Sequence, residues 1–201
     1  MNYLERPLGI NDLETTGLNS RHCEILEIGL VLIERESLEV ITTFESKVKP
    51  TFQRIIEPED EKAFDFRILK KGEKVAFRKA LEINGYNEEE WRHAPPLKEA
   101  IEGYVDATDG AVFGAQNNAF DWGFVDVACE EAGVRHRMPY QRLDLFTRNS
   151  ILLVQYGVRL PKYSQDDVAM YFNLDPEPMP HRAMQGARLA HEVYKRVSFL
   201  S

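Results

Sequence analysis

The fold is decided by a short acidic stretch near the amino terminus, Asp12-Leu13-Glu14-Thr15-Thr16-Gly17. It follows the apolar residues 8–10 (Leu-Gly-Ile), which predict a first strand that ends near Asp12. Because residues two apart on a strand share a face, Asp12 and Glu14 are expected to project side by side at that end. Two adjacent carboxylates repel each other, and each raises the pKa of the other unless a cation lies between them.

A divalent metal ion is the simplest reason for this carboxylate pair. Oxygen ligands favour Mg²⁺ or Mn²⁺, and Mg²⁺ usually completes its shell with water and substrate phosphate. Thr15 and Thr16 place hydroxyls just beyond the pair, and Gly17 allows the chain to turn. The alternative interpretation is a solvated acidic turn, and the rest of the chain decides between the two.

The composition predicts a single ordinary globular domain over residues 1–201. Hydrophobic residues make up 43% and charged residues 29% of the chain. Cys23 and Cys129 are too few for a disulfide framework and form no CxxC metal site. With no apolar leader and no run long enough to span a membrane, we expect a cytoplasmic protein that does not act at a membrane.

The net charge of −8 argues against a protein that holds nucleic acid by bulk electrostatic attraction, because such proteins are usually basic. A nucleic-acid substrate would therefore need metal ions to neutralise its phosphates locally.

Three early runs predict an antiparallel meander with the first strand in the centre: residues 8–10, 25–33 and 40–49. Glu27 interrupts the second run, and we expect it to be paired or to lie at a strand margin, early enough in the chain to support the Asp12 region. Residues 51–79 predict a loop with short helical pieces. Beyond them strands alternate with helices, which predicts an α/β fold whose mixed central sheet gains parallel strands and is flanked by helices.

Two later segments complete a family pattern. Residues 118–121 (Asn-Ala-Phe-Asp) follow a short apolar strand, and residues 181–183 (His-Arg-Ala) follow a proline-rich loop and open the last helix. With residues 12–17 they resemble, in order, the three motifs of the DEDD exonucleases of the histidine subtype (DEDDh). This is the DnaQ-like proofreading and RNase T group, which has a ribonuclease H-like fold. The likeness spans nearly the whole chain.

The resemblance implies a 3′→5′ exonuclease that hydrolyses phosphodiester bonds at the 3′ end of single-stranded DNA or RNA. Two ions, Mg²⁺ or Mn²⁺, would take part in the substrate complex. By this resemblance Asp12 bridges both ions, Glu14 holds one of them, Asp121 binds the second, and His181 is the general base. The residues expected to contact the substrate are Thr15, Thr16, Gly17, Asn118 and Phe120.

The third motif departs from the family pattern at one position. The family carries an aspartate five residues after the histidine, and here that position is Gly186. The missing carboxylate would ligate the same ion as Glu14, so metal affinity and activity are expected to fall. Three consequences are open: a weakened enzyme, another carboxylate that reaches in (Asp167 or Asp175), and a nucleic-acid-binding module that no longer cuts.

The sequence also leaves the substrate and the partners open. A hydrolase of small phosphoesters would need the same carboxylates, and fold analogy does not choose between the substrates. DNA and RNA differ at the sugar 2′-hydroxyl, which a single sequence does not address. The alternatives for assembly are a protein that acts alone, a homodimer, or a unit that works beside a polymerase.

Overall fold

The computed structural model describes residues 3–200, which fold as alternating strands and helices. Residues 1, 2 and 201, which the predicted domain and the amino-terminal prediction include, lie outside the described residues. The strands are β1 (Leu8–Thr15), β2 (Ile25–Ile33), β3 (Val40–Lys47), β4 (Arg54–Ile56), β5 (Val75–Phe77), β6 (Val112–Ala115) and β7 (Arg142–Asp144). The helices are α1 (Arg78–Ile83), α2 (Glu88–Trp91), α3 (Leu97–Ala107), α4 (Asn118–Ala132), α5 (Leu145–Gln155), α6 (Gln165–Tyr171) and α7 (Ala183–Ser198).

The main sheet has the strand order β3-β2-β1-β6-β7, with β1 in the centre. β1, β2 and β3 are antiparallel neighbours, whereas β6 runs parallel to β1 and β7 runs parallel to β6. The structure therefore confirms the predicted meander, the central first strand and the mixed sheet.

Helices cover both faces of this sheet, and the alternation of β1 distributes its side chains between them. Leu8 and Ile10 lie in an apolar cluster with Met184 and Ala187 of α7. Leu13 points to the other face, where its cluster includes residues of α3 and α4. Residues 12 and 14 continue the face of Leu8 and Ile10, so the acidic pair lies on the α7 side of the sheet.

The first strand is longer than predicted, although Asp12 and Glu14 do lie near its end. β1 continues through Thr15, and Asp12 and Glu14 are paired across the ladder with Gly29 and Glu27 of β2. The buried run of β2 supplies backbone partners whatever the side chains of β1 are, so pairing extends into the acidic stretch. The Asp12–Glu14 pair is consequently part of the sheet, and the alternative of a solvated acidic turn does not hold.

The prediction of a loop with helical pieces over residues 51–79 is correct in part. The pieces are two short 3-10 turns, Glu61–Ala63 and Phe66–Ile68, but β4 and β5 form a parallel pair that was not predicted. Three-residue strands are too short to show a periodicity. The Phe77 amide of β5 donates to the carbonyl of Thr16 at 2.7 Å, so this excursion packs against the end of β1.

Between residues 3 and 200, no helix combines the length and the apolar character needed to cross a membrane.

Candidate active site

Glu14 is a buried carboxylate without a hydrogen-bonding partner. Its exposed fraction is 7%, and no described residue donates a hydrogen bond to its side chain. Burial, reinforced by the nearby Glu177 and Glu27 carboxylates, raises the pKa of Glu14 to about 8. Burial also raises the pKa of Asp12 well above its usual range, with further contributions from Asp121 and Glu14. Both groups are therefore poorly stabilised as anions by the protein alone.

Asp121 reaches the same place from α4. It lies in the first turn of this helix, just after β6, and is 5% exposed. Burial raises its pKa to about 7, although the backbone amide of Leu13 in β1 lowers it by hydrogen bonding. Asp12 and Asp121 interact electrostatically, so the structure brings the first two motifs together.

Hydrogen bonds from the backbone and from the Arg182 side chain hold the third motif against the sheet. The His181 amide donates to the carbonyl of Ile83 at 3.0 Å. Arg182 donates to Glu27 at 2.8 Å, and the Ala183 amide donates to the same carboxylate at 3.3 Å. The expectation that Glu27 is paired is confirmed, because it ties the start of α7 to β2. His181 itself remains accessible, with 36% of its side chain exposed.

Gly29 is a further residue of this arrangement that sequence reasoning missed. A Cβ at this position would collide with the carbonyl of Ala183 and would lie 2.6 Å from the Met184 amide nitrogen. The backbone at the start of α7 therefore approaches β2 as closely as a glycine allows. Because Gly29 is the cross-strand partner of Asp12, this approach brings α7 beside the first motif.

Gly186 packs directly on the Asp12 carboxylate. A Cβ at position 186 would collide with Oδ2 of Asp12 and would lie 2.7 Å from its Cγ. Position 186 thus borders the acidic cluster, but it contributes no ligand. Gln185 beside it is exposed.

Glu177 is the second residue that sequence reasoning missed. Ligand atoms of Glu14, Glu177 and His181 all lie within 4.8 Å of one another, as in a group able to hold a metal ion. Glu177 precedes His181 by four positions in the proline-rich loop, where no periodicity marks it. The two carboxylates proposed from the sequence are placed differently: Asp167 is engaged with Ser164 in the capping box of α6, and Asp175 is exposed.

The hydroxyls of the first motif are occupied by the protein. Thr15 donates to the carbonyl of Gly17 at 2.8 Å, and Thr16 donates to that of Val75 at 2.9 Å. A Cβ at Gly17 would lie 2.5 Å from the Phe77 ring. These three residues therefore shape the turn after β1. Because both threonine hydroxyl protons are already donated to backbone carbonyls, a contact with a substrate would have to use other groups of these residues.

The second motif offers one free acceptor. Oδ1 of Asn118 is buried and has no hydrogen-bond partner among residues 3–200. The backbone amide of Asn118 donates a hydrogen bond to Oδ2 of Asp144 at 3.1 Å, so the residue is fixed at the helix start. Phe120 is half-buried and packs on Phe124, with their ring centroids 5.1 Å apart.

The donor set fits divalent ions. Asp12, Glu14, Asp121 and Glu177 supply carboxylate oxygens only, which suits Mg²⁺ or Mn²⁺. Oε1 of Glu177 is buried without a partner in the described chain, and Glu14 lacks one as well. Such groups are costly to bury unless something compensates their charge. A cation in their midst would do so.

A sequence comparison identifies the family of this site. The model of the RNase T exonuclease family matches residues 10–62 and 54–194. The chain belongs to this exonuclease family. Both the acidic motifs and the loop that carries His181 fall within the matched ranges.

Relatives of this exonuclease domain occur within much longer proteins. A PolC-type DNA polymerase III from Thermotoga maritima is 24% identical over 186 residues, which are 92% of this chain and 11% of the polymerase. A polymerase of the same type from Caldanaerobacter subterraneus subsp. tengcongensis is 26% identical over 196 residues, again 11% of its length. The chain thus spans about a tenth of the length of these relatives.

Solved exonuclease structures share the fold. The nuclease domain of 3′hExo, described as a DEDDh family member bound to rAMP, aligns with a TM-score of 0.66 at 14% identity, covering 98% of this chain and 92% of that one. Exonuclease I of E. coli in complex with an oligonucleotide aligns with a TM-score of 0.70 at 13% identity, covering 94% and 40%. These likenesses confirm the predicted ribonuclease H-like architecture.

Proposed function

We propose that this exonuclease domain removes nucleotides one at a time from the 3′ end of single-stranded DNA or RNA, using two ions of Mg²⁺ or Mn²⁺. The observation that carries the proposal is the convergence of the buried Glu14 and Asp121 with the partly buried Asp12, beside the accessible ring of His181. None of the three carboxylates forms a salt bridge with another described residue. Family membership supports nuclease chemistry, and the relatives named above support a 3′ end as substrate.

In this proposal the carboxylates hold the ions and His181 handles the proton. Asp12 would be a ligand of both ions, Glu14 of one and Asp121 of the other. When bound, paired divalent ions activate water and stabilise the attacking and leaving oxygens. His181 accepts the proton of the attacking water, a task suited to an imidazole at neutral pH.

The proposed reaction is the hydrolysis of a phosphodiester bond. The water oxygen bonds to phosphorus, and the bond from phosphorus to the 3′ oxygen of the preceding nucleotide breaks. The chain keeps a 3′-hydroxyl after this oxygen takes a proton from solvent, and a nucleoside 5′-monophosphate leaves.

A cleft beside α6 supports a single strand as the substrate. Its volume is about 830 Å³, and its lining includes Phe146, Lys162 and Tyr163. Aromatic rings can stack on bases, and a lysine can accompany the phosphate backbone. Gln165 of the same lining donates to the Gly186 carbonyl at 3.1 Å, so the cleft adjoins the acidic cluster.

Gly186 supports a second candidate, a domain that binds single strands without cutting them. A 5′-labelled oligonucleotide separates the two: with Mg²⁺ or Mn²⁺ the exonuclease shortens it from the 3′ end, and EDTA or Asp12→Asn stops the shortening. Retention of an intact oligonucleotide with either metal would instead support the binding module. Hydrolysis of a small phosphodiester in the absence of any shortening would point to the third substrate class.

The polymerase relatives support one further element of the proposal, that the domain works beside a polymerase as a proofreading unit. Primer–template duplexes that end in a paired or in a mismatched 3′ nucleotide test this role. A proofreading unit removes the mismatched nucleotide faster than the paired one.

A further inference from the structure

The backbone around position 186 leaves the acidic cluster one ligand short of the family pattern. Gly186 is buried, and the start of α7 is fixed to β2 through Arg182 and Ala183, so this segment is held where it is. The space that a Cβ at position 186 would enter is occupied by the Asp12 carboxylate. A replacement ligand has to come from another element.

Glu177 lies in the proline-rich loop that precedes His181, whereas Gly186 follows His181 in the chain. Its side chain is only 12% exposed, and its Oε1 atom is buried with no hydrogen-bond partner among the described residues. Oε2 lies 3.9 Å from Nδ1 of His181, which is too far for a hydrogen bond. The Glu177 amide donates to Asp166 at 3.1 Å and anchors the loop.

Three other candidate carboxylates, Glu27, Asp167 and Asp175, are either hydrogen-bonded to other groups or exposed. Glu27 is bonded to Arg182 and to the Ala183 amide. Asp167 is bonded within the capping box of α6, and Asp175 is exposed. Glu177 is left as a carboxylate that is mostly shielded from solvent and has a ligand atom within 4.8 Å of that of Glu14.

We propose that Glu177 is the fourth carboxylate ligand of this metal site, and that with Glu14 it holds the ion that a side chain at position 186 would otherwise hold. The inference rests on the proposed metal dependence of the domain. With Asp12, Glu14 and Asp121, Glu177 brings the ligand charge to −4, which matches two divalent cations. Its loop carries His181 as well, so one segment positions both a ligand and the proton acceptor.

Direct metal binding tests the assignment on the full chain. Mn²⁺ titration by calorimetry should give a dissociation constant about tenfold or more higher for Glu177→Gln than for the parent. The matched control is Asp175→Asn, which removes the same charge two positions away and should stay within about twofold of the parent. A single cooperative unfolding transition in EDTA verifies that each variant is folded.

Several outcomes overturn the inference. These are an unchanged Mn²⁺ dissociation constant in Glu177→Gln, an equal loss in Asp175→Asn, and a parent that binds no Mn²⁺. A fall in kcat at unchanged Mn²⁺ affinity would make Glu177 a positioning residue for His181 instead. Failure of the proposed function is a separate result: a parent that binds Mn²⁺ through Glu177 but never shortens an oligonucleotide.

A sulfur probe distinguishes direct ligation from long-range attraction. Thiolates are soft ligands that favour soft metals. Glu177→Cys with Cd²⁺ should develop a sulfur-to-metal charge-transfer absorbance that is absent from the parent, whose Cys23 and Cys129 are buried, and from Asp175→Cys. A Glu177→Cys spectrum identical to that of Asp175→Cys would count against ligation.

Discussion

Glu14 and Glu27 face each other across β1 and β2, and of these two carboxylates only Glu27 accepts a hydrogen bond from Arg182. Like charges directly opposite each other destabilise a sheet. The arrangement is tolerable because one carboxylate of the pair is neutralised by arginine, and the other turns toward a cluster that a metal ion would neutralise. Glu27 therefore anchors the start of α7 to β2, whereas the carboxylate of Glu14 is left to bind the proposed metal ion.

The first prediction concerns pH and metal. The pKa of Glu14 is about 8 in the fold and 4.5 in an ordinary glutamate, so the folded state binds more protons and loses stability as pH rises from 4.5 to 8. In EDTA, Glu14→Gln should melt like the parent near pH 4.5 and at least about 3 °C higher at pH 8, equal to about 1 kcal/mol. Thermal unfolding across this range measures the difference. Mn²⁺ should stabilise the parent most at pH 8 and Glu14→Gln much less; a gap that narrows with rising pH would refute the prediction.

The second prediction concerns the close approach of β2 to α7. Gly29→Ala places a methyl group against the backbone of Ala183 and Met184, so the start of α7 must shift. We expect a loss of about 1–3 kcal/mol in unfolding free energy and a loss of activity approaching 10²-fold, because misplaced catalytic groups are costly. Urea unfolding and oligonucleotide shortening measure both effects. Gly123→Ala is the control: its Cβ meets nothing closer than Ser20 Oγ at 3.6 Å, and it should not destabilise α4.

The third prediction compares two substitutions at Gly186. Alanine and aspartate bring the same Cβ against Asp12, but only aspartate adds a ligand. We expect Gly186→Ala to lower turnover by displacing the Asp12 carboxylate, and Gly186→Asp to exceed Gly186→Ala by about tenfold. Single-turnover shortening in Mn²⁺ provides the comparison. Turnover of Gly186→Asp well above the parent would mean that Gly186 weakens the enzyme and that Glu177 does not compensate.

The fourth prediction concerns the pair that anchors the third motif. Glu27→Gln and Arg182→Met each break a partly buried ion pair whose side chains are 5% and 25% exposed. A double-mutant cycle measured by urea unfolding should give a coupling of about 1–3 kcal/mol. Arg188→Met, at an exposed position on α7, is the matched control and should show no coupling to Glu27. An equal coupling at Arg188 would contradict the anchoring role.

The fifth prediction concerns the cleft beside α6. Phe146 is 45% exposed, and its removal in Phe146→Ala should cost about 1–3 kcal/mol of single-strand binding through lost stacking. Lys162→Ala should reduce the dependence of binding on salt. Fluorescence anisotropy with the cleavage-deficient Asp12→Asn background measures both. Ile68→Ala, an exposed apolar residue outside this cleft, should bind like its background; an equal loss there would argue against the cleft.

The antiparallel meander with β1 in its centre and the positions of the three motifs could be predicted from the sequence alone. The apolar and β-branched runs of residues 8–10, 25–33 and 40–49 were sufficient to predict the meander. The helix starts at Ser164 and after Asn87 follow local capping chemistry. These features depend on neighbours in the chain, so they can be read from it.

The way in which the site is completed depends on tertiary packing that the sequence does not reveal. Glu27 and Arg182 are 155 positions apart, and neither residue alone predicts their pairing. Gly29 matters because of the backbone it faces, and Glu177 lies in a proline-rich loop that has no period to reveal its direction. Which carboxylate compensates for a glycine is a question of distance in three dimensions, and that distance is set by the packing of α7 on β2.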